Sequence, residues 1–276
     1  MGYNCIMVRL ELSKDNASVL KVAGDLAERF GSKVIGIAAC QPLQILANEG
    51  FAADQAIIQN REEITGEIAA AEAQFRAALS GRVREIEWRS SITFDSLAEY
   101  IAEQARAADL IVTAKDIGPS LLDESHRVRL GDLVMRAGRP VLIVPDGVTG
   151  LALRHVFVGW KDTREARRAV SDALPILAIS NEVTVLEVAP DYETKRAQGR
   201  VEDVAAWLTE HDVRARPMTD IPTGQAAGYL HARLLTDHCD LLVAGAYGHN
   251  RMREWIFGGV TQDVLLDPEF CVLISH

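Results

Sequence analysis

The chain is poor in the residues that staple, cross-link or anchor. Its four cysteines, Cys5, Cys40, Cys239 and Cys271, are scattered over 276 residues. No C-x-x-C pair occurs, so neither a zinc site, a thioredoxin-type motif nor a disulfide framework is indicated. Each reads as a small core hydrophobe or a free thiol. His231, His238 and Cys239 lie close together but match no metal-ligand spacing, and no metal is expected. No apolar run approaches the roughly 18 to 20 residues that cross a bilayer. Residues 1–10, MGYNCIMVRL, lack a charged n-region and a small-residue cleavage site, so a cytoplasmic chain is expected. Positive charge is the minority sign: 29 Lys and Arg against 39 Asp and Glu give a net −10. That sign repels phosphate backbones and anionic lipid, so nucleic acid and membrane are not expected partners. GxxxxGK[ST] and GxGxxG are both missing, which removes the P-loop and the dinucleotide fingerprint.

What is present is an ordinary globular composition, 48% hydrophobic and 25% charged, written twice. FDSLAEYIAEQARAADLIVTA (94–114) and TGQAAGYLHARLLTDHCDLLVAGA (223–246) both run from an amphipathic helix through an Asp into a short apolar strand. Opening strands repeat at 5–10 and 155–160, second strands at 33–40 and 183–188, third strands near 83–88 and 212–218, and closing strands at 140–145 and 271–275. Ala166, Ala169, Val170, Ala173, Leu174 and Leu177 share one face of the helix after the second opening strand, and Pro175 should kink it. Strands alternating with helices imply parallel sheets with right-handed crossovers. The expected fold class is α/β, two tandem Rossmann-like domains, each a five-stranded parallel sheet with helices on both faces. The domains are expected at 1–147 and 152–276, joined by PDGVTGLALRH around Gly150. The stretch 41–55 reads equally as a surface loop or a short insertion helix.

Open parallel sheets bind ligands beyond the carboxyl ends of their strands, where the strand order reverses. After the strand LLVA, the second half reads Gly245-Ala-Tyr-Gly248, nine residues, then Gly258-Gly259-Val260-Thr261 opening the last helix. Glycines let the backbone approach a ligand, and bare N–H groups at a helix N-terminus favour anionic phosphate. The Thr261 hydroxyl converges on the same place. His249, Arg251 and Arg253 give this loop positive character inside an acidic chain, although a solvated loop face accounts for each equally well.

GAYGHNRMREWIFGG, a G-x2-G-x9-G between the fourth strand and the last helix, resembles the ATP-binding signature of universal stress proteins. VGWKDTREARRAVSDALPIL (158–177) is similar to that family's first strand and helix. The resemblance covers essentially the whole chain and implies tandem adenine nucleotide alpha hydrolase-like domains. By position it implies that Gly245, Gly248, Gly258, Gly259 and Val260 line phosphates and ribose, with Ala244 and Val188 near the base. Two departures stand out. Gly259 occupies the place where the family usually has Ser or Thr, and Lys161, followed by Asp162, stands where its first strand often ends in Asp.

The first half departs further. Its fourth strand runs into Lys115-Asp116-Ile117-Gly118-Pro119, with Asp123-Glu124 before Gly131-Asp132, and the glycine spacing is gone. Carboxylates near a phosphate path repel it and Pro119 removes a donor, so no nucleotide is expected in this half. No catalytic residue is assigned: no Ser-His-Asp pattern can be placed, and Glu254 and Asp263 read as paired or capping groups. The resemblance implies a stress-response protein that binds ATP, with or without Mg2+, through its second half and acts as a nucleotide-dependent regulator; at most it hydrolyses ATP slowly. The alternative is a nucleotide-independent interaction module. Because the family pairs through last-strand edges, a tandem chain could satisfy that contact internally as a pseudo-dimer; pairing of whole chains into a homodimer stays open. An adenylating enzyme would need an acceptor pocket that the residues do not announce.

Overall fold

Each half turns its strand-helix alternation into the same five-stranded unit. The computed structural model describes residues 2–42, 50–115, 124–246 and 269–276. In the first half, β1 (Cys5–Arg9), α1 (Ala17–Phe30), β2 (Lys33–Cys40), α2 (Gly50–Leu79), β3 (Glu85–Ile92), α3 (Leu97–Gln104), β4 (Leu110–Ala114), α4 (Leu130–Ala137) and β5 (Val141–Val144) follow in order. The second half gives β6 (His155–Gly159), α5 (Arg164–Ala178), β7 (Glu182–Val188), α6 (Thr194–Thr209), β8 (Ala215–Asp220), α7 (Ala226–Thr236), β9 (Leu241–Gly245) and β10 (Cys271–Ser275). The third strands begin and end a few residues later than the hydrophobic pattern suggests. The undecided 41–55 stretch contributes, from Gly50 on, the first turns of the 30-residue α2. Residues 43–49 lie outside the described part. Helix α5 continues through Pro175 to Ala178.

The strand order is β3-β2-β1-β4-β5-β10-β9-β6-β7-β8 in a single ten-stranded sheet. Within each half every pairing is parallel. The two halves meet through the antiparallel pairing of β5 and β10, where Val272, Leu273 and Ile274 face Ile143, Leu142 and Val141. The cores follow the sheet rather than the repeat. One apolar cluster lies on the face covered by α1, α2, α5 and α6, and includes Val8, Val19 and Phe75 with Val158, Ala169 and Val201. The other lies under α3, α4 and α7, and includes Met7, Ile101 and Leu133 with Phe157, Leu234 and Ile274. Both clusters draw on both halves. The connection between them is anchored too: Leu151 and Leu153 are buried, and the Leu153 carbonyl accepts from Asn181 N–H at 3.0 Å.

The repeated Asp has a structural job. Asp109 Oδ2 accepts from the backbone N–H groups of Asn4 (2.7 Å) and Cys5 (3.0 Å). Asp240 Oδ2 does the same for Arg154 (2.7 Å) and His155 (3.0 Å). Each carboxylate therefore satisfies two donors at the start of a central strand and ties it to the strand beside it. This also fixes the correspondence of the halves: Cys5 matches His155, Arg9 matches Gly159, and Glu11 matches Lys161. Replacing Asp109 with Ala strands two backbone donors and should cost about 2 kcal/mol in a urea unfolding titration.

Burial settles what the cysteines offer. Cys40, Cys239 and Cys271 are buried and Cys5 is half-buried. Burial pushes the Cys271 thiol up to about 12 and raises Cys239 and Cys5 as well, so these three are poor thiolates. Among the described residues no group of three or more His, Cys, Asp or Glu side chains is disposed to hold a metal ion. No described helix is long and apolar enough to cross a membrane.

Candidate functional site

The order 3-2-1-4-5 within each half reverses direction between its first and fourth strands. In the second half the switch point therefore lies beyond the carboxyl ends of β6 and β9, where the general rule puts a ligand. Ala244 and Gly245 are the last residues of β9, and Ala244 pairs with Gly159 of β6 and Ile274 of β10. Val188 ends β7, opposite Asp220. Val188 and Ala244 pack on the α7 side of the sheet. A Cβ on Gly159 would lie 4.0 Å from that of Ala244 and 3.3 Å from Leu242 Cδ1. Gly159 and Ala244 thus form a low floor with Val188 at its rim. Lys161, two residues past β6, is exposed. Gly248, His249, Arg251, Gly258, Gly259, Val260 and Thr261 lie outside the described residues, as do Arg253, Glu254 and Asp263.

Gly245 answers to a different constraint from its neighbours. A Cβ there would come under 3.0 Å from Ala166 N and from the Glu165 carbonyl carbon and oxygen. The end of β9 is packed directly on the first turn of α5, and only glycine permits that approach. The same turn is capped from within: Thr163 Oγ1 accepts from Ala166 N–H at 3.3 Å. The Glu165 side chain is almost fully buried and ion-paired with the exposed Arg164. Burial alone would raise the Glu165 carboxyl, but Arg164, its own backbone N–H and Thr163 outweigh this and hold it below the usual carboxylate range. The turn of α5 that packs on Gly245 thus carries a buried carboxylate neutralised by Arg164. Beyond the rim, Glu187 is buried with Arg200, whose Nε donates to its Oε2 at 3.0 Å.

The first half presents another surface at the corresponding place. Arg9 replaces Gly159, and its side chain, 6% exposed, lies across the end of the sheet. One guanidinium nitrogen reaches Thr113 Oγ1, the counterpart of Ala244, and Glu11 Oε1, both at 3.3 Å. The other donates to the His126 carbonyl at 3.5 Å. Where the second half keeps a floor of glycine and alanine, the first fills it with its own cation. Lys115 is ion-paired with Asp146 at 3.5 Å; residues 116–123 lie outside the described part. An apolar strand ending in Arg, two residues before Glu11, is the signal that could have marked this plug in the sequence.

No family model and no curated protein matches the chain. Solved structures do. A universal stress protein from Archaeoglobus fulgidus superposes with a TM-score of 0.73 at 16% identity, covering 99% of this chain and 96% of its own. A functionally unknown protein from Pseudomonas aeruginosa gives 0.61 at 18%, with 99% and 92% covered. A putative universal stress protein from the same species gives 0.60 at 18%, with 99% and 93% covered.

Proposed function

We propose that this chain, which has the fold of the tandem universal stress proteins, binds one adenine nucleotide per chain, ATP with or without Mg2+, at the carboxyl edge of its second half. The observation that carries this reading is the difference between two otherwise matching crevices: Gly159 and Ala244 in the second, Arg9 across Thr113 in the first. The base would rest near Val188 and Ala244. The phosphates would run toward the glycines of the 245–259 segment, with Lys161, His249 and Arg251 in reach to balance charge. The sequence expectation of bare N–H groups at Gly258-Gly259-Val260-Thr261 makes that segment the proposed seat of the anion. The division into units 1–147 and 152–276, with the first as structural partner, belongs to the same proposal. So does a cytoplasmic regulatory role in stress response, in which occupancy biases the pair.

Native mass spectrometry of the intact chain with Mg-ATP tests the stoichiometry, and one bound nucleotide is expected. Gly248→Glu and Gly258→Glu should each abolish binding while the circular dichroism spectrum stays unchanged, because a carboxylate would occupy the phosphate path. Unchanged affinity in both variants removes the site; two nucleotides per chain removes the role given to Arg9. The internal β5–β10 pairing favours the second reading, a nucleotide-independent interaction module, and no binding at millimolar ATP would select it.

A further inference from the structure

Sequence spacing hides one cluster that the fold assembles at the carboxyl edge of the first half. Ser125 and His126 form part of the short turn before α4, and Glu67 projects from α2, 59 residues away in the chain. Ser125 Oγ lies 3.2 Å from His126 Nδ1, and His126 Nε2 lies 3.1 Å from Glu67 Oε2. The other Glu67 oxygen accepts from Ser13 Oγ at 2.5 Å. Proton bookkeeping assigns the roles. An ionised carboxylate only accepts, so Nε2 carries the ring proton toward Glu67, and Nδ1 of a neutral imidazole presents its lone pair to the Ser125 hydroxyl. That is a nucleophile bonded to a base, and a base held by an acid. Both partners are within solvent reach, with the His126 and Glu67 side chains 25% and 28% exposed.

A cavity of about 220 Å³ adjoins this turn, lined by Gln41, Ser96, Ala98, Arg127, Arg129 and Asp132. Gln41 is bound to the turn through its N–H, which donates to the Ser125 carbonyl at 2.8 Å. Arg129, exposed at the cavity, offers a guanidinium group that suits a small acyl group carrying its own carboxylate.

We infer that Ser125, His126 and Glu67 form an acyl-transfer site, in which Ser125 is the nucleophile for esters of small anionic acids. Ser125 Oγ attacks the ester carbonyl carbon as its proton passes to His126 Nδ1. The C–O bond to the leaving alcohol breaks, and that oxygen takes the proton from Nδ1. Water then attacks the Ser125 acyl ester and gives its proton to Nδ1, which returns it to Oγ as the free acid departs. Glu67 is a positioning residue, and Ser13 holds its second oxygen. The site is independent of the nucleotide reading, and neither result decides the other.

The test uses the full chain, a fluorophosphonate probe and two substrates, the mono-4-nitrophenyl ester of glutaric acid and 4-nitrophenyl acetate. The expected results are one probe mass on the peptide containing Ser125, its loss in Ser125→Ala, and turnover about a hundredfold slower in His126→Gln. Glu67→Gln should lower kcat about tenfold with KM unchanged, and Glu67→Asp should recover part of it, with unfolding midpoints read alongside. Arg129→Gln should raise KM for the glutarate ester and leave that for acetate unchanged. Absence of label, label surviving in Ser125→Ala, or full turnover in His126→Gln overturns the site. Equal effects of Arg129→Gln on both esters overturn the anionic substrate class.

Discussion

Gly245→Ala is expected to lower stability by about 3 kcal/mol, read as a shift of the urea unfolding midpoint at constant slope. The added Cβ would meet backbone atoms of Glu165 and Ala166, not the end of a side chain. Backbone within a helical turn cannot rotate away, so either β9 or the first turn of α5 must move. Moving α5 also disturbs the Thr163 cap and the buried Glu165 carboxylate. Gly66→Ala in α2 is the matched control. Its Cβ meets nothing within 4 Å, and replacing a helical glycine should add about 0.5 to 1 kcal/mol. A near-neutral Gly245→Ala would mean that the strand and helix do not approach this closely. Because this glycine is demanded by packing, its substitution cannot serve as a ligand test; Gly248 and Gly258 are the positions for that.

Much of the fold is legible in the sequence because its information is local. Alternating apolar segments locate all ten strands to within a few residues, and the repeated helix-Asp-strand pattern reveals two equivalent halves. The reason for the Asp is not local, since its two backbone partners lie 105 and 104 residues away in the first half. The early course of α2 is ambiguous for a different reason: residues 55–63 are exposed or half-buried, so no apolar stripe marks them. At the site, Gly245 can be read as a ligand glycine or a packing glycine, and only the position of α5 distinguishes them. The same limit hides Arg9. Sequence places it at a strand end, but its fate depends on Thr113 and His126, which arrive from more than a hundred residues away. Ser125 and His126 are adjacent in sequence, yet their acidic partner is supplied by α2.

The halves should unfold as one unit, and the seam between β5 and β10 makes that testable. Leu142 and Leu273 face each other across it and both are fully buried. Cutting either back to Ala removes buried methyl groups from a core shared by both halves, and should cost about 3 kcal/mol. The double variant should cost less than the sum, because the two truncations open one common cavity. Trp88 lies in the first half, whereas Trp160, Trp207 and Trp255 lie in the second. In a Trp88→Phe background, tryptophan fluorescence reports the second half alone, while far-ultraviolet circular dichroism reports both. Leu142→Ala should then move both transitions together, although the substitution is made in the first half. The physical reason is that each apolar layer crosses the seam, so neither set of five strands keeps its core when the other melts. A circular dichroism curve that splits, with fluorescence unmoved, would show that the antiparallel pairing adds contact without coupling.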